Sequence, residues 1–459
     1  MGCDFTNAPE TEVLARAREL VGRTLRQLHP NGLNARRGKG AFGQLVEELH
    51  FGYAPNSDAS PDFPVARLEL KATGVVRSRA AGWQAKERLV LGIVDYLNLP
   101  SEHAFRASAF FLKNARLLLV VYEWARDRDV LDHRINLVDV LELDALSPSD
   151  QKVIEDDWWT IRRFVEDGRA HELSEGHTNY LVAARKGAGK GLDLRPQPRS
   201  SLPAPQRAYS LKASFVSRVL TAAYDRQAQA RLRELEAPLL TTSDLAAGLT
   251  LDDAVATRLR PYIGRTDKDI RNQVAPELNP RAKALHATLV RRMLGVQTRE
   301  IEEFEKADVT LKVVRISASG NPREAVSFPA FRYADLARQT WRTSDLRYAL
   351  TRRFLFAFFR YKEGVLVFER ATFWTMPTAT LEAEARRVWV ETVCRVRRGR
   401  ADDLPNTSFS PVVHVRPHAR NASDTDVTPD GKRVVKKSFW LNASYVGEVY
   451  RSTAAADNF

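Results

Sequence analysis

Two halves of this chain repeat one another, and a duplication constrains the fold more than composition does, because each copy must be able to build its own core. The run Asp62-Phe63-Pro64-Val65-Ala66-Arg67-Leu68-Glu69-Leu70-Lys71 aligns without gaps on Glu303-Phe304-Glu305-Lys306-Ala307-Asp308-Val309-Thr310-Leu311-Lys312. Leu211-Lys212-Ala213-Ser214-Phe215-Val216 aligns on Leu441-Asn442-Ala443-Ser444-Tyr445-Val446, and Leu45-Val46-Glu47-Glu48 on Leu289-Val290-Arg291-Arg292, all in one order at nearly constant separation. The expected organisation is a first domain over residues 1–220, a helical linker over 221–245 in a region rich in Ala, Leu, Arg and Glu, and a second domain over 246–459. The Pro-rich stretch 195–206 then falls inside the first copy, as a loop between strands that matches the loop 419–437 of the second. At 459 residues the chain has room for two such domains.

Periodicity sets the fold class. Residues 10–28, behind Thr11 as a cap, and 42–49 carry apolar side chains at helical spacing, whereas 65–71 and 116–122 read as strands. The expectation is a mixed α/β fold, a central sheet flanked by helices. The longest apolar runs, 117–122 and 354–359, fall far short of the ~20 residues a membrane-spanning helix needs, so a soluble protein is expected. Lys plus Arg number 70 against 57 for Asp plus Glu, a net charge of +13, which points to a polyanionic partner, most simply nucleic acid. With only Cys3 and Cys394, and no secretion signal at the N-terminus, a reducing cytoplasm is the expected compartment.

Chemistry concentrates around Asp62, Glu69 and Lys71, with Pro61 directly before the aspartate. Strand side chains alternate, so Glu69 and Lys71 share one face while Leu68 and Leu70 point into the core. Two carboxylates can hold a hard divalent cation such as Mg²⁺ through oxygen, and a neighbouring ammonium can orient water and stabilise a phosphoryl transition state. Taken alone, the same spacing also describes a surface strand with an ordinary Glu–Lys pair.

The wider context, Gly40-Ala41-Phe42-Gly43-Gln44-Leu45-Val46-Glu47-Glu48-Leu49-His50-Phe51-Gly52, then Pro61-Asp62, then Leu68-Glu69-Leu70-Lys71, closely resembles the MutH branch of the PD-(D/E)xK nucleases. That branch includes two-domain type II restriction endonucleases cutting at GATC, built from two MutH-like copies of which the second lacks catalytic residues. The resemblance implies Asp62 and Glu69 as metal ligands, Glu47 as a helix carboxylate beside the metal, Lys71 as the catalytic lysine and Lys113 as a further site lysine. Glu48 adjoins Glu47, and the alignment leaves a one-residue exchange between them open.

In the second copy Arg291, Glu303, Thr310 and Lys312 stand where Glu47, Asp62, Glu69 and Lys71 stand in the first, too little oxygen ligation for Mg²⁺, so this half should not cut. It retains Val413-His414-Val415-Arg416-Pro417-His418 and Phe439-Trp440-Leu441-Asn442, which resemble the family's segments that meet the DNA major groove. By that resemblance Arg416 reads a base edge, with His418, Trp440 and Asn442 around it; a guanidinium offers paired donors to guanine. The first copy has alanine in place of that arginine, leaving Arg185, Lys186, Tyr209 and Lys212 as its expected DNA contacts. Partners implied are double-stranded DNA and a second chain brought in by DNA, with no membrane and no nucleotide cofactor.

Other features carry no function in this reading. Gly187-Ala188-Gly189-Lys190-Gly191 lacks the glycine spacing and the Ser/Thr of a phosphate-binding loop. His171 and His177 are too far apart to share a helical face. Trp158-Trp159 and the run 354–359 read as core. The rival functions are a nicking enzyme of DNA repair and a non-cutting DNA-binding regulator.

Overall fold

The computed structural model describes residues 4–30, 40–56, 58–78, 82–125, 127–187, 193–224 and 235–456. It divides into two compact units, residues 1–250 with 305–308, and residues 251–304 with 309–459.

Unit 1 opens with α1 (Glu10–Arg18), α2 (Leu25–Leu28) and α3 (Ala41–Leu45), the last running on as a π-helical turn over Val46–Phe51. The single helix expected over 10–28 is therefore two. Gly22 takes φ of 80°, which only glycine adopts without strain, and Thr24 starts a new helix with a capping box to Gln27. The cap of α1 is Pro9, not Thr11.

The central sheet of unit 1 has the order β2-β1-β4-β5. Here β1 (Glu69–Ser78) runs parallel to β4 (Arg116–Glu123), while β2 (Gly82–Ala85) and β5 (Ile135–Glu142) flank them antiparallel. Leu117 to Val121 are all at most 1% exposed, as a central strand covered on both faces requires. Val13, Ala17, Phe42, Leu45 and Val46 from the helices join Leu68, Leu70, Leu118 and Val120 in one core cluster. A second sheet places β9 (Arg207–Leu211) between β3 (Leu89–Ile93) and β6 (Leu181–Arg185). Between the sheets in sequence lie α4 (Ala109–Asn114), capped by Ser108, and α5 (Pro148–Glu166), capped by Ser147 with proline at its first position. The Pro-rich stretch expected as a loop is instead an antiparallel pair, β7 (Leu194–Gln197) with β8 (Ser200–Pro205). Of the expected linker, α6 (Ala213–Tyr224) covers the beginning, residues 225–234 lie outside the described residues, and the two-residue β10 (Glu236–Ala237) follows.

Unit 2 shows the same pattern of pairing. After the two-residue β11 (Glu300–Ile301), β12 (Val309–Ile316) runs parallel to β14 (Arg353–Lys362), which pairs antiparallel with β15 (Val365–Trp374). A second sheet sets β19 (Lys437–Leu441) between β13 (Val326–Ala330) and β16 (Val413–Pro417), with the hairpin β17 (Thr425–Val427) and β18 (Arg433–Val435) beside it in sequence. The registers correspond as well. Glu69 sits opposite Leu117 and Thr310 opposite Phe354; Leu211 faces Leu89 and Leu181, and Leu441 faces Val326 and Val413. Phe354 to Phe359 are buried throughout in unit 2; in unit 1 Trp158 is fully buried and Trp159 half-buried.

Candidate active site

Asp62 and Glu69 are joined by a tight turn, not by the early part of a strand: β1 begins at Glu69, and Val65 to Leu68 fold back so that Phe63 and Leu68 exchange backbone hydrogen bonds of 2.9 and 3.2 Å. Arg67 completes the turn in the left-handed region, φ 53°, which costs a non-glycine residue about 1–3 kcal/mol and persists only where its surroundings hold it. Asp308, the residue of the second sequence copy that aligns with Arg67, has φ of 56°.

The turn brings the two carboxylates together. The Asp62 N–H donates to Glu69 Oε2 at 3.1 Å, and Asp62 Oδ2 accepts the Leu70 N–H at 2.9 Å. Lys71 Nζ lies 2.5 Å from Glu69 Oε1. Lys113, at the end of α4, approaches the same Oε1 at 3.7 Å and donates to the Asp58 carbonyl. Glu69 is 2% exposed, so its charge is held by two ammonium groups in a largely dry site.

Glu47 faces this cluster from the π-helical turn. Burial first, then repulsion from Asp62, Glu69 and Glu48, raises its pKa from 4.5 to about 7, with Lys71 pulling the other way. Burial and Glu69 raise Asp62 from 3.8 to about 6, against Lys71 and the Leu70 amide. Glu47 thus lies within electrostatic reach of Asp62, Glu69 and Lys71. Carboxylates pushed up by their mutual field in a buried site form an acceptor set short of positive charge, which fits a hard cation bound through oxygen. Among the described residues no group of three His, Cys, Asp or Glu side chains is arranged to enclose a metal, so any ion here would complete its shell with solvent or substrate.

The matching place in unit 2 has another chemistry. Lys312 is half-buried with its Nζ donating to the Ser327 carbonyl at 2.9 Å, and burial together with Arg352 lowers its pKa. Arg291 is half-buried, its pKa lowered by burial and by Arg292 and Arg299. Glu303 is 2% exposed, and Thr310 offers a hydroxyl where unit 1 has a carboxylate.

The residues expected at DNA divide. On β16, Arg416 is exposed, with its guanidinium 3.6 Å from the centre of the Trp440 ring. His418, also exposed, packs on the same ring at 5.3 Å and shares a 3.0 Å hydrogen bond with Ser438. Stacking restricts the guanidinium and leaves its N–H edge open for an acceptor. Asn442 does not belong to this surface: it is 4% exposed, bonded to His414 and the Ser410 carbonyl. The register explains this. Arg416 pairs with Ser438 on β19, and Asn442 lies four residues further along, roughly 13 Å away at strand rise.

In unit 1, Arg185 and Lys186 are exposed at the end of β6, Arg185 gripping Asp193 at 3.1 and 3.3 Å. Tyr209 is not available to a ligand; it is 5% exposed and packs on Phe110. Lys212 lies beyond the opposite end of β9, donating to the Thr178 carbonyl. The residues 188–192 of the rejected glycine-rich segment lie outside the described residues.

Sequence reading missed two supports. Asp157 is fully buried and accepts the backbone N–H groups of Asn179, Tyr180 and Leu181, anchoring the start of β6. Arg116 binds Glu10, Glu142 and the Ala66 carbonyl. The repeat held a signal for the second, since Arg353 likewise precedes an apolar strand.

Comparison with known proteins agrees with this geometry. The family model described as DNA mismatch repair enzyme MutH matches residues 51–157, which include Asp62, Glu69, Lys71 and Lys113. The chain is 28% identical to the type II restriction enzyme Sau3AI of Staphylococcus aureus, over 94% of this chain and 96% of that one. It is 29% identical to the DNA mismatch repair protein MutH of Shewanella amazonensis, over 47% of this chain and 95% of the relative.

Proposed function

We infer that the chain belongs to the MutH-like restriction endonucleases, and we propose that it is a type II site-specific deoxyribonuclease in which unit 1 cuts DNA while unit 2, its degenerate duplicate, binds DNA without cutting. One asymmetry carries the reading: a buried carboxylate pair with two lysines in unit 1, against Thr310 and Arg291 at the matching places in unit 2. Similarity to a type II restriction enzyme over nearly all of both chains favours restriction over repair nicking. The MutH relative spans 47% of this chain, about the length of one of the two copies.

In this reading Asp62 and Glu69 would hold a divalent cation, Mg²⁺, with Glu47 beside them; bound there, the ion supplies positive charge to a phosphodiester oxygen. Lys71, fixed against Glu69, orients the attacking water and stabilises charge on the pentacovalent phosphorus. Lys113 holds Glu69 from the other side. One such site per chain cuts one strand, so a double-strand break takes two chains brought together on DNA or two successive nicks. The recognition sequence is proposed as GATC or a close relative.

Unit 2 binds a second copy of the site through Arg416 stacked on Trp440. Arg416→Ala is expected to weaken binding to a second specific site by about 10- to 100-fold, the equivalent of ~1–3 kcal/mol for one bidentate base contact, and to slow cleavage of two-site plasmid while leaving single-turnover cleavage of a one-site oligonucleotide intact. Unchanged two-site binding would remove the reader from unit 2. Lys312→Met should leave single-turnover cleavage at the wild-type rate, measured by quenched-flow; a large loss would place chemistry in the second unit.

A further inference from the structure

The turn that carries the carboxylates is clamped from outside. Arg116, the first residue of β4, sends its guanidinium back to the Ala66 carbonyl at 3.0 Å, next to the left-handed Arg67 and between Asp62 and Glu69 in sequence. The same fork grips Glu10 of α1, Nη1 to Oε2 at 3.0 Å and Nη2 to Oε1 at 2.6 Å, while Nε donates to Glu142 of β5 at 2.8 Å. One planar side chain thus ties the turn to α1 and to the far strand of the sheet. No lysine could serve all of these acceptors at once, because an ammonium lacks the rigid fork.

We propose that Arg116 is a positioning residue of the cleavage site: through the Ala66 carbonyl it sets the distance and orientation between Asp62 and Glu69 at which they take a divalent cation. This rests on the reading of those two carboxylates as a cation pair. Glu69 leads directly out of the turn, and Asp62 is fixed to its far side by the Asp62 N–H to Glu69 bond. A turn strained at Arg67 relaxes unless its carbonyls are held, and the two carboxylates move with it. Groups that orient first-shell ligands from behind typically govern metal affinity.

Unit 2 supplies an internal control. Arg353, at the matching start of β14, grips Asp252 with Nη1 at 2.8 Å and Nη2 on the other oxygen. Arg353 thus keeps the grip on a carboxylate where Thr310 replaces the glutamate. A purely structural clamp would behave alike in both units.

The test compares Arg116→Lys with Arg353→Lys in the full-length chain, reading thermal melting and Mn²⁺ binding, the latter from the electron paramagnetic resonance signal of the free ion. Both variants are expected to melt a few degrees below wild type, but only Arg116→Lys should weaken Mn²⁺ binding, by about 10-fold, with wild-type stoichiometry recovered at high Mn²⁺. Glu142→Gln, which leaves the Ala66 contact in place, should bind Mn²⁺ as wild type does. Equal Mn²⁺ affinity in Arg116→Lys and wild type, equal weakening in both lysine variants, or a lost site that high Mn²⁺ does not restore would overturn the proposal. Absence of saturable Mn²⁺ binding by the wild type would instead overturn the reading of the carboxylate pair, and the proposal with it.

Discussion

Asp62→Asn is expected to lower the single-turnover cleavage rate by at least ~10³-fold while leaving DNA binding in Ca²⁺ largely intact, as judged by quenched-flow cleavage and gel shift. The amide keeps the shape of the side chain and its one oxygen can still accept the Leu70 N–H, so the turn is retained. What disappears is the negative charge of the carboxylate proposed to bind the cation. The same change should raise the melting temperature of the metal-free protein, because the carboxylate it removes is destabilised by burial and by Glu69. A cleavage-dead variant that is more stable than wild type separates loss of chemistry from loss of fold. Persistent cutting would place the cation elsewhere.

The second large effect is on pH. Glu47 and Asp62 have folded-state pKa values raised to about 7 and about 6, above the ordinary 4.5 and 3.8. Between pH 4 and 7 the folded state therefore holds more protons than the unfolded chain, and stability falls as pH rises through that window. Metal-free protein should melt at progressively lower temperature from pH 4.5 to 7.5, and Glu47→Gln should flatten part of that slope. Asp157, raised to about 7 by burial, contributes to the remainder and has no bearing on the metal. Cation binding runs the opposite way, since it requires the ionised carboxylates. At subsaturating Mg²⁺ the cleavage rate is expected to drop about tenfold per pH unit below pH 6 for each proton that must leave. A cleavage rate independent of pH between 5 and 8 would show that these carboxylates do not govern the metal.

Legibility differed by distance in sequence. The cluster of Asp62, Glu69 and Lys71 could be read because the residues are close neighbours, with Glu69 and Lys71 alternating along one strand, and the repeat revealed which half had lost them. The π-helical turn that carries Glu47 beside the cluster has no signature in the apolar spacing, which reads as an ordinary helix. The strain at Arg67 was invisible for the same reason: Val65 to Leu68 has a strand's composition, and only the exchange of backbone bonds between Phe63 and Leu68 turns it. Errors among the DNA-facing residues came from register. Tyr209, Lys212 and Asn442 were grouped with Arg185 and Arg416 by segment, but strand pairing puts Lys212 and Asn442 at the opposite end of β9 and β19, and Tyr209 against Phe110. The supports, Arg116 with Glu10 and Asp157 with residues 179–181, join positions far apart in the chain, where a single sequence carries no pairing information.

The most direct test of the division of labour is to incubate the purified chain with unmethylated plasmid in Mg²⁺ and sequence the fragment ends. Linear fragments whose ends all share one short motif, formed by wild type and by Lys312→Met but not by Asp62→Asn, are the predicted result. Nicked circles alone, or intact plasmid that is nevertheless shifted on a gel, would contradict it.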